Sequence, residues 1–188
     1  APIEHALLAG DIKTGISVIK ISPKLDAGDV LYQESLKITE DMYSDELTSA
    51  LTNLGKRTML EVLPIIFEKN ISSNKQDSNK VTYAKKFTSN DRKINFNNST
   101  NQVYNHIRAH GPKPGSWFVY RGERIKILKA ITSKDRGQQS TILNNKFLIA
   151  CNDGSILPTL IQREGKKAVE VKDFIKGFTF AVNDKINA

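Results

Sequence analysis

Apolar residues change their spacing several times along the chain, and each change marks an element. Residues 3–9 carry apolar positions at helical spacing and Gly10 supplies a stop, so a short helix is predicted there. Residues 16–21 and 30–36 are short runs rich in β-branched and aromatic side chains, the signature of two strands. From Ser44 to Phe67 helical spacing returns, with Leu47, Leu51, Leu54, Val62, Leu63 and Ile66 on one face and Pro64 thinning the last turns. Residues 69–80 are polar and aperiodic, the composition of a linker. A helix is then predicted over residues 100–109, with Val103, Tyr104 and Ile107 inward and a stop at His110-Gly111-Pro112. Short strands follow at 117–120, 124–128, 140–143, 147–151 and 155–161, and a last helix at 171–176.

These elements fall into two groups. Helix-strand-strand-helix cannot bury both its faces alone, and reads as the trailing part of an α/β domain. Several short antiparallel strands within about 70 residues read as a small barrel. The predicted division is residues 1–68, a linker over 69–87, and a second domain over 88–188.

Charge sharpens that division. Residues 1–75 hold 8 Lys/Arg against 11 Asp/Glu, a net of −3, whereas residues 76–188 hold 20 against 9, a net of +11. A strongly basic domain is the electrostatic footprint of a polyanion, and nucleic acid is the commonest one. The basic candidates are Lys85, Lys86, Arg121, Arg124, Lys126, Lys166 and Lys167. In the strand around Arg124-Ile125-Lys126-Ile127, alternation puts the two cations on one face and the two isoleucines on the other. Trp117 is expected in the core. No apolar run approaches the roughly 20 residues of a membrane span, and no basic-then-apolar leader is visible. The lone Cys151 precludes an internal disulfide and suits a reducing compartment such as the cytoplasm. No Cys/His spacing fits zinc, so no metal is expected.

The candidate chemistry lies between the first two strands, at Leu25-Asp26-Ala27-Gly28-Asp29. Taken alone this is an Asx-type turn, in which a carboxylate accepts from its own backbone and glycine allows positive φ or close approach. The flanks change its meaning. Residues 1–11 (Ala-Pro-Ile-Glu-His-Ala-Leu-Leu-Ala-Gly-Asp), Thr14-Gly15 followed by the Asp26-Ala27-Gly28-Asp29 turn, residues 81–86 (Val-Thr-Tyr-Ala-Lys-Lys), Ile107-Arg108-Ala109 with Pro112, Pro114 and Trp117, and residues 165–168 (Gly-Lys-Lys-Ala) occur in that order. Together they resemble the methionyl-tRNA formyltransferase family along nearly the whole chain. The departures, Lys113 between the two prolines and Val169 after the Gly-Lys-Lys-Ala element, look like packing substitutions.

The resemblance implies an α/β trailing part of a Rossmann-like formyltransferase domain, followed by a small OB-like β-barrel domain that binds tRNA. It implies formyl transfer from 10-formyltetrahydrofolate to the amino group of methionyl initiator tRNA in translation initiation. Asp26 is the implied catalytic carboxylate, holding a histidine or a water in place, with Asp29 as its competitor; Lys24, Leu25, Asp26 and Gly28 are the implied border of the folate. The family's catalytic Asn and His would precede residue 1, so the 188-residue chain alone is expected to be inactive. His5, His106 and His110 are expected to be non-catalytic. A cytoplasmic, bacterial monomer is expected ahead of a protein of the mitochondrial matrix, with no membrane partner. Two other readings stand beside this one: a related folate-dependent formyltransferase or hydrolase acting on a small amine such as an amino sugar, and a non-catalytic RNA-binding module.

Overall fold

The computed structural model describes residues 1–68 and 71–186. The expected linker therefore begins on two residues, 69 and 70, outside the described ones, as do the last two residues of the expected second domain. The chain forms two compact units, one made of residues 1–10, 43–45 and 85–188, the other of residues 11–42 and 46–84. The first helix, α1 (Pro2–Ala9), thus belongs with the later part of the chain, although sequence order groups it with the strands that follow it.

In the unit holding the turn, β1 (Lys13–Ile19) pairs antiparallel with β2 (Val30–Lys37), from Lys13 opposite Lys37 to Ile19 opposite Val30, with an irregularity at Val18/Ile19. Helix α2 (Ser44–Phe67) keeps the bounds that its periodicity predicts and runs through Pro64. After its first residue, Ser44, its buried positions are Leu47, Leu54, Thr58 and Val62, spaced by seven and then four and four residues. Leu63, expected on that face, is 41% exposed. One residue turns a helix by about 100°, so with Val62 buried its neighbour points elsewhere. Thr58 is the polar residue among them: its hydroxyl donates to Glu34 on β2 at 2.5 Å, and Arg57 reaches the other oxygen of the same carboxylate at 2.5 Å. Those donors, the Thr58 hydroxyl foremost, hold the Glu34 carboxyl below its ordinary pKa.

The other unit is built on α3 (Thr100–His110), β3 (Ser116–Tyr120), β4 (Glu123–Ser133), β5 (Ile149–Ala150), β6 (Ser155–Arg163), β7 (Ala168–Glu170) and α4 (Val171–Phe174). Ser99 caps α3 in a capping box: its hydroxyl accepts from the Gln102 N–H and Gln102 Oε1 accepts from the Ser99 N–H. The strands form an antiparallel sheet ordered β3-β4-β6-β5, with β7 also on β6. β4 is longer than its predicted five residues and shifts register around Lys129. Residues 140–143, expected as a strand, make only isolated bridges, Thr141 to Lys185 and Ile142 to Ile149, because the C-terminal segment lies alongside them. The core gathers Phe96, Ile107, Phe118, Ile125, Ile127, Ile142, Phe147, Ile156 and Ile161. Phe147 is its hub, with ring contacts to Phe118, Tyr120, Phe174, Phe178 and Phe180.

No described helix is long and apolar enough to cross a membrane.

Candidate functional site

The turn between β1 and β2 is held from below and open at its tip. The Lys20 N–H donates to the Asp29 carbonyl at 2.9 Å and closes its base. Gly28 is buried there, and a Cβ on it would stand 1.7 Å from the Lys20 carbonyl oxygen. The glycine therefore answers to the approach of its own chain; the residue at positive φ is Asp26, at 52°. Gln76, in the polar stretch expected as a linker, donates from Nε2 to the carbonyls of Asp26 (2.8 Å) and Gly28 (2.7 Å). Val30 and Asn74 exchange both backbone hydrogen bonds, at 2.8 and 2.9 Å. Ser73 donates to Asp29 at 3.3 Å and accepts from Lys20 at 2.8 Å, while Lys20 Nζ lies 3.9 Å from the Asp29 carboxylate. Asp29 is thereby committed to the base of the turn.

Lys24, Leu25 and Asp26 form the exposed tip, Leu25 at 91% exposure. The Asp26 carboxylate and the N–H groups of Leu25 and Asp26 make no hydrogen bond with a described residue. The tip thus offers backbone donors, an apolar side chain and a carboxylate to a ligand. Gly28 does not: it is buried and its carbonyl is taken. Gln76 and Ser73 have no signature as site residues, since nothing in an aperiodic polar stretch announces that one amide will span two carbonyls some 50 residues away; Lys20 reads only as a residue of the preceding apolar run.

The basic candidates all lie in the other unit. The predicted alternation on β4 holds, with Ile125 and Ile127 buried and Arg124 and Lys126 partly exposed. Arg124 and Lys126 line a cleft of about 180 Å³ with Gln162, Arg163, Glu164 and Gly165. The β6–β7 turn at its edge carries Lys166 and Lys167, both exposed, and Gln162 donates to the Lys166 carbonyl at 2.8 Å. Lys85 and Lys86 are exposed beside α1, where His5 Nε2 donates to the Lys85 carbonyl at 3.1 Å. Arg121 stands apart from the others. It pairs with Asp184 at 2.8 Å, and the Tyr120 hydroxyl bonds the same carboxylate, so its charge is spent holding the C-terminal segment. Tyr120 and Arg121 together hold the Asp184 carboxyl below its ordinary pKa.

Two polar clusters in this unit do structural work. Glu123 and Arg163 make a two-pronged pair at 2.7 and 2.8 Å across β4 and β6. His5, Phe87, His110 and His106 form a chain of ring contacts at 4.6, 4.8 and 4.8 Å. Burial pushes His110 down to about 4, with the neighbouring His106 and Arg92 adding to the effect. Burial also lowers His106, although its Nε2 is anchored to the Asp91 carbonyl at 2.9 Å. The stack braces α1 against α3, and burial favours the neutral form of its two inner imidazoles, His106 and His110.

A model of the formyl transferase family matches residues 1–63, and a model of the formyl transferase C-terminal domain matches residues 86–179. The chain belongs to the formyl transferase family. The turn lies in the first matched segment, and all seven basic candidates except Lys85 lie in the second. The methionyl-tRNA formyltransferase of Lactobacillus johnsonii is 36% identical over 193 residues, covering 99% of this chain and 62% of that protein. The chain thus spans about three fifths of the length of this curated relative. Its fold is shared with HypX of Aquifex aeolicus in complex with tetrahydrofolic acid (TM-score 0.71, 16% identity, 92% of this chain and 32% of that one). It is shared too with an N-formyltransferase of Helicobacter canadensis in complex with folinic acid and dTDP-3-aminofucose (TM-score 0.68, 19% identity, 86% and 60%).

Proposed function

We propose that this chain is part of a methionyl-tRNA formyltransferase, which moves a formyl group from 10-formyltetrahydrofolate to the amino group of methionyl initiator tRNA. The observation that carries the proposal is the 36% identity that runs through both units to 99% of the chain. The folate supplies the formyl group. On this reading the open tip at Lys24, Leu25 and Asp26 borders it, with unpaired N–H groups facing a heterocycle edge and the Leu25 side chain covering its apolar part. Asp26 supplies a carboxylate that positions a proton-carrying partner beside the reacting amine. Gly28 serves the site from behind, by letting the turn close on Lys20.

The same reading makes residues 1–68 the trailing part of a Rossmann-like catalytic domain and residues 88–188 an OB-like barrel joined by the 69–87 linker. Lys85, Lys86, Arg124, Lys126, Lys166 and Lys167 meet the tRNA backbone; Arg121 contributes through the strap it holds. The enzyme works as a monomer in a bacterial cytoplasm. An amino-sugar formyltransferase has no use for a +11 second half, which favours tRNA as the acceptor.

The test uses the full-length protein carrying this chain, methionyl initiator tRNA and labelled formyl donor. Asp26→Asn is expected to slow formyl-methionine formation roughly 100-fold or more, and Asp29→Asn to lower stability ahead of rate. Formylation of an amino sugar with none of the tRNA overturns the acceptor; a full rate from Asp26→Asn overturns the role of that carboxylate.

A further inference from the structure

Trp117 is the sole tryptophan of the chain. It sits on β3, 7% exposed, with its indole fixed by a 2.8 Å hydrogen bond from Nε1 to the Ser89 carbonyl. Its own carbonyl accepts from the Ile94 N–H at 2.7 Å, and a parallel bridge brings Lys93 beside it. Three cations gather on this residue. The Arg124 guanidinium lies 4.1 Å from the ring centroid and Lys93 Nζ 5.8 Å from it, while Lys126 is the register partner of Trp117 on β4. None of the three side chains makes an ion pair or hydrogen bond with a described residue. The neighbouring arginines differ: Arg121 and Arg163 also stack on aromatic rings, Tyr120 and Phe178, each at 5.2 Å, but each has its own carboxylate, Asp184 or Glu123.

Like charges packed around one ring raise the local potential, and no described carboxylate pairs with them; the acid that lines the adjoining cleft is Glu164. We propose that Lys93, Arg124 and Lys126 form a phosphate clamp around Trp117, and that its ligand is the phosphodiester backbone of an RNA. The clamp rests on the reading of this unit as the tRNA-binding part of the enzyme, and adds Lys93 and Trp117 to it. Arg124 is the centre. With one face against the indole, its planar fork is held in place while its edge N–H groups stay free to meet two phosphate oxygens at once. The adjoining cleft of about 180 Å³ receives the phosphate group. Lys93 and Lys126 add point charge. Trp117 is a positioning residue, which orders Arg124 before the RNA arrives.

The lone indole makes the test direct, because intrinsic tryptophan emission reports this site alone. The full chain is titrated separately with initiator tRNA, inorganic phosphate and uridine monophosphate over a range of salt. The tRNA is expected to change the emission saturably, with phosphate and the mononucleotide acting only at millimolar levels. Lys93→Gln and Arg124→Gln are each expected to weaken tRNA binding about 3- to 10-fold and to reduce the log–log salt slope by about 0.7 to 0.9. Arg124→Lys keeps the charge and the slope but loses the fork, and is expected to weaken binding several-fold. Lys146→Gln, on an exposed turn, serves as the control that changes neither, and thermal melts confirm that each variant folds. Wild-type affinity and slope in both glutamine variants, while reversal of Lys85 and Lys86 to Glu still weakens binding, refutes the clamp and leaves the tRNA reading standing. Failure of the wild-type chain to bind tRNA at low salt refutes that reading, and the clamp with it. A micromolar response to phosphate or the mononucleotide overturns RNA backbone as the ligand.

Discussion

Gly28→Ala tests the account of the turn. The added methyl group would stand 1.7 Å from the Lys20 carbonyl oxygen, and real Cβ atoms keep at least about 3.0 Å, so the backbone has to part by at least about 1.3 Å. That displacement falls on the 2.9 Å bond from Lys20 to Asp29 and on the Gln76 bond to the Gly28 carbonyl. Two weakened hydrogen bonds cost about 1 kcal/mol each, and overpacking adds roughly 1 to 3 kcal/mol. The expected loss is therefore about 3 to 5 kcal/mol, read as a lower urea midpoint for the unit containing residues 11–42 and 46–84, by circular dichroism. Gly55→Ala is the matched control. Its Cβ would meet nothing within 4 Å on α2, so the substitution should stabilise the same unit by up to about 1 kcal/mol. On the proposed function, Gly28→Ala in the full-length protein should also depress formyl transfer, because the tip moves with its base. Stability within 0.5 kcal/mol of wild type would refute the argument, since a clash of that depth leaves no cheap escape through a flexible side chain.

Three further outcomes follow from buried groups. His110 is 2% exposed and its pKa falls from 6.5 to about 4 on folding, chiefly through burial, with His106 and Arg92 adding to it and Asp91 opposing it. The unfolded chain therefore binds the proton first as pH drops. The contribution is fully present above pH 6.5 and is lost between there and about 4, by up to about 3 kcal/mol; His110→Gln should flatten that part of the stability–pH curve measured by urea denaturation. Phe147→Ala empties the hub of the aromatic core and should cost about 3 to 5 kcal/mol by the same assay. Burial pushes the Cys151 thiol up to about 12, so a thiol reagent at pH 8 should label it only as the chain unfolds, at a rate that follows denaturant rather than reagent concentration.

The legible parts of this protein were those set by short-range spacing. Helix α2 came out with its predicted bounds because a 3.6-residue period repeats over 24 residues. Arg124-Ile125-Lys126-Ile127 showed its two faces because strand side chains alternate. The capping box Ser99–Gln102 lay equally open to reading, being a four-residue pattern. Residues 140–143 misled because they are shared between two partners, Ile149 nearby and the C-terminal segment more than 40 residues away, and bridge to each only at an isolated point. The site was half legible: the order of motifs marked the turn and the basic half, but neither the clasp by Gln76 nor the place of Lys93 beside Trp117 has any local signature.

By itself, then, the sequence determined where the helices and most of the strands lie, where the charge accumulates, and which turn carries the paired aspartates, because these depend on neighbours a few positions apart. The tertiary structure alone decided why residue 28 must be glycine, which carboxylate of the turn is left open, which arginines have a carboxylate partner, and that α1 joins the later unit. Each of those depends on a carbonyl, carboxylate or ring brought close by chain segments tens of residues away, and one-dimensional spacing carries no record of that approach.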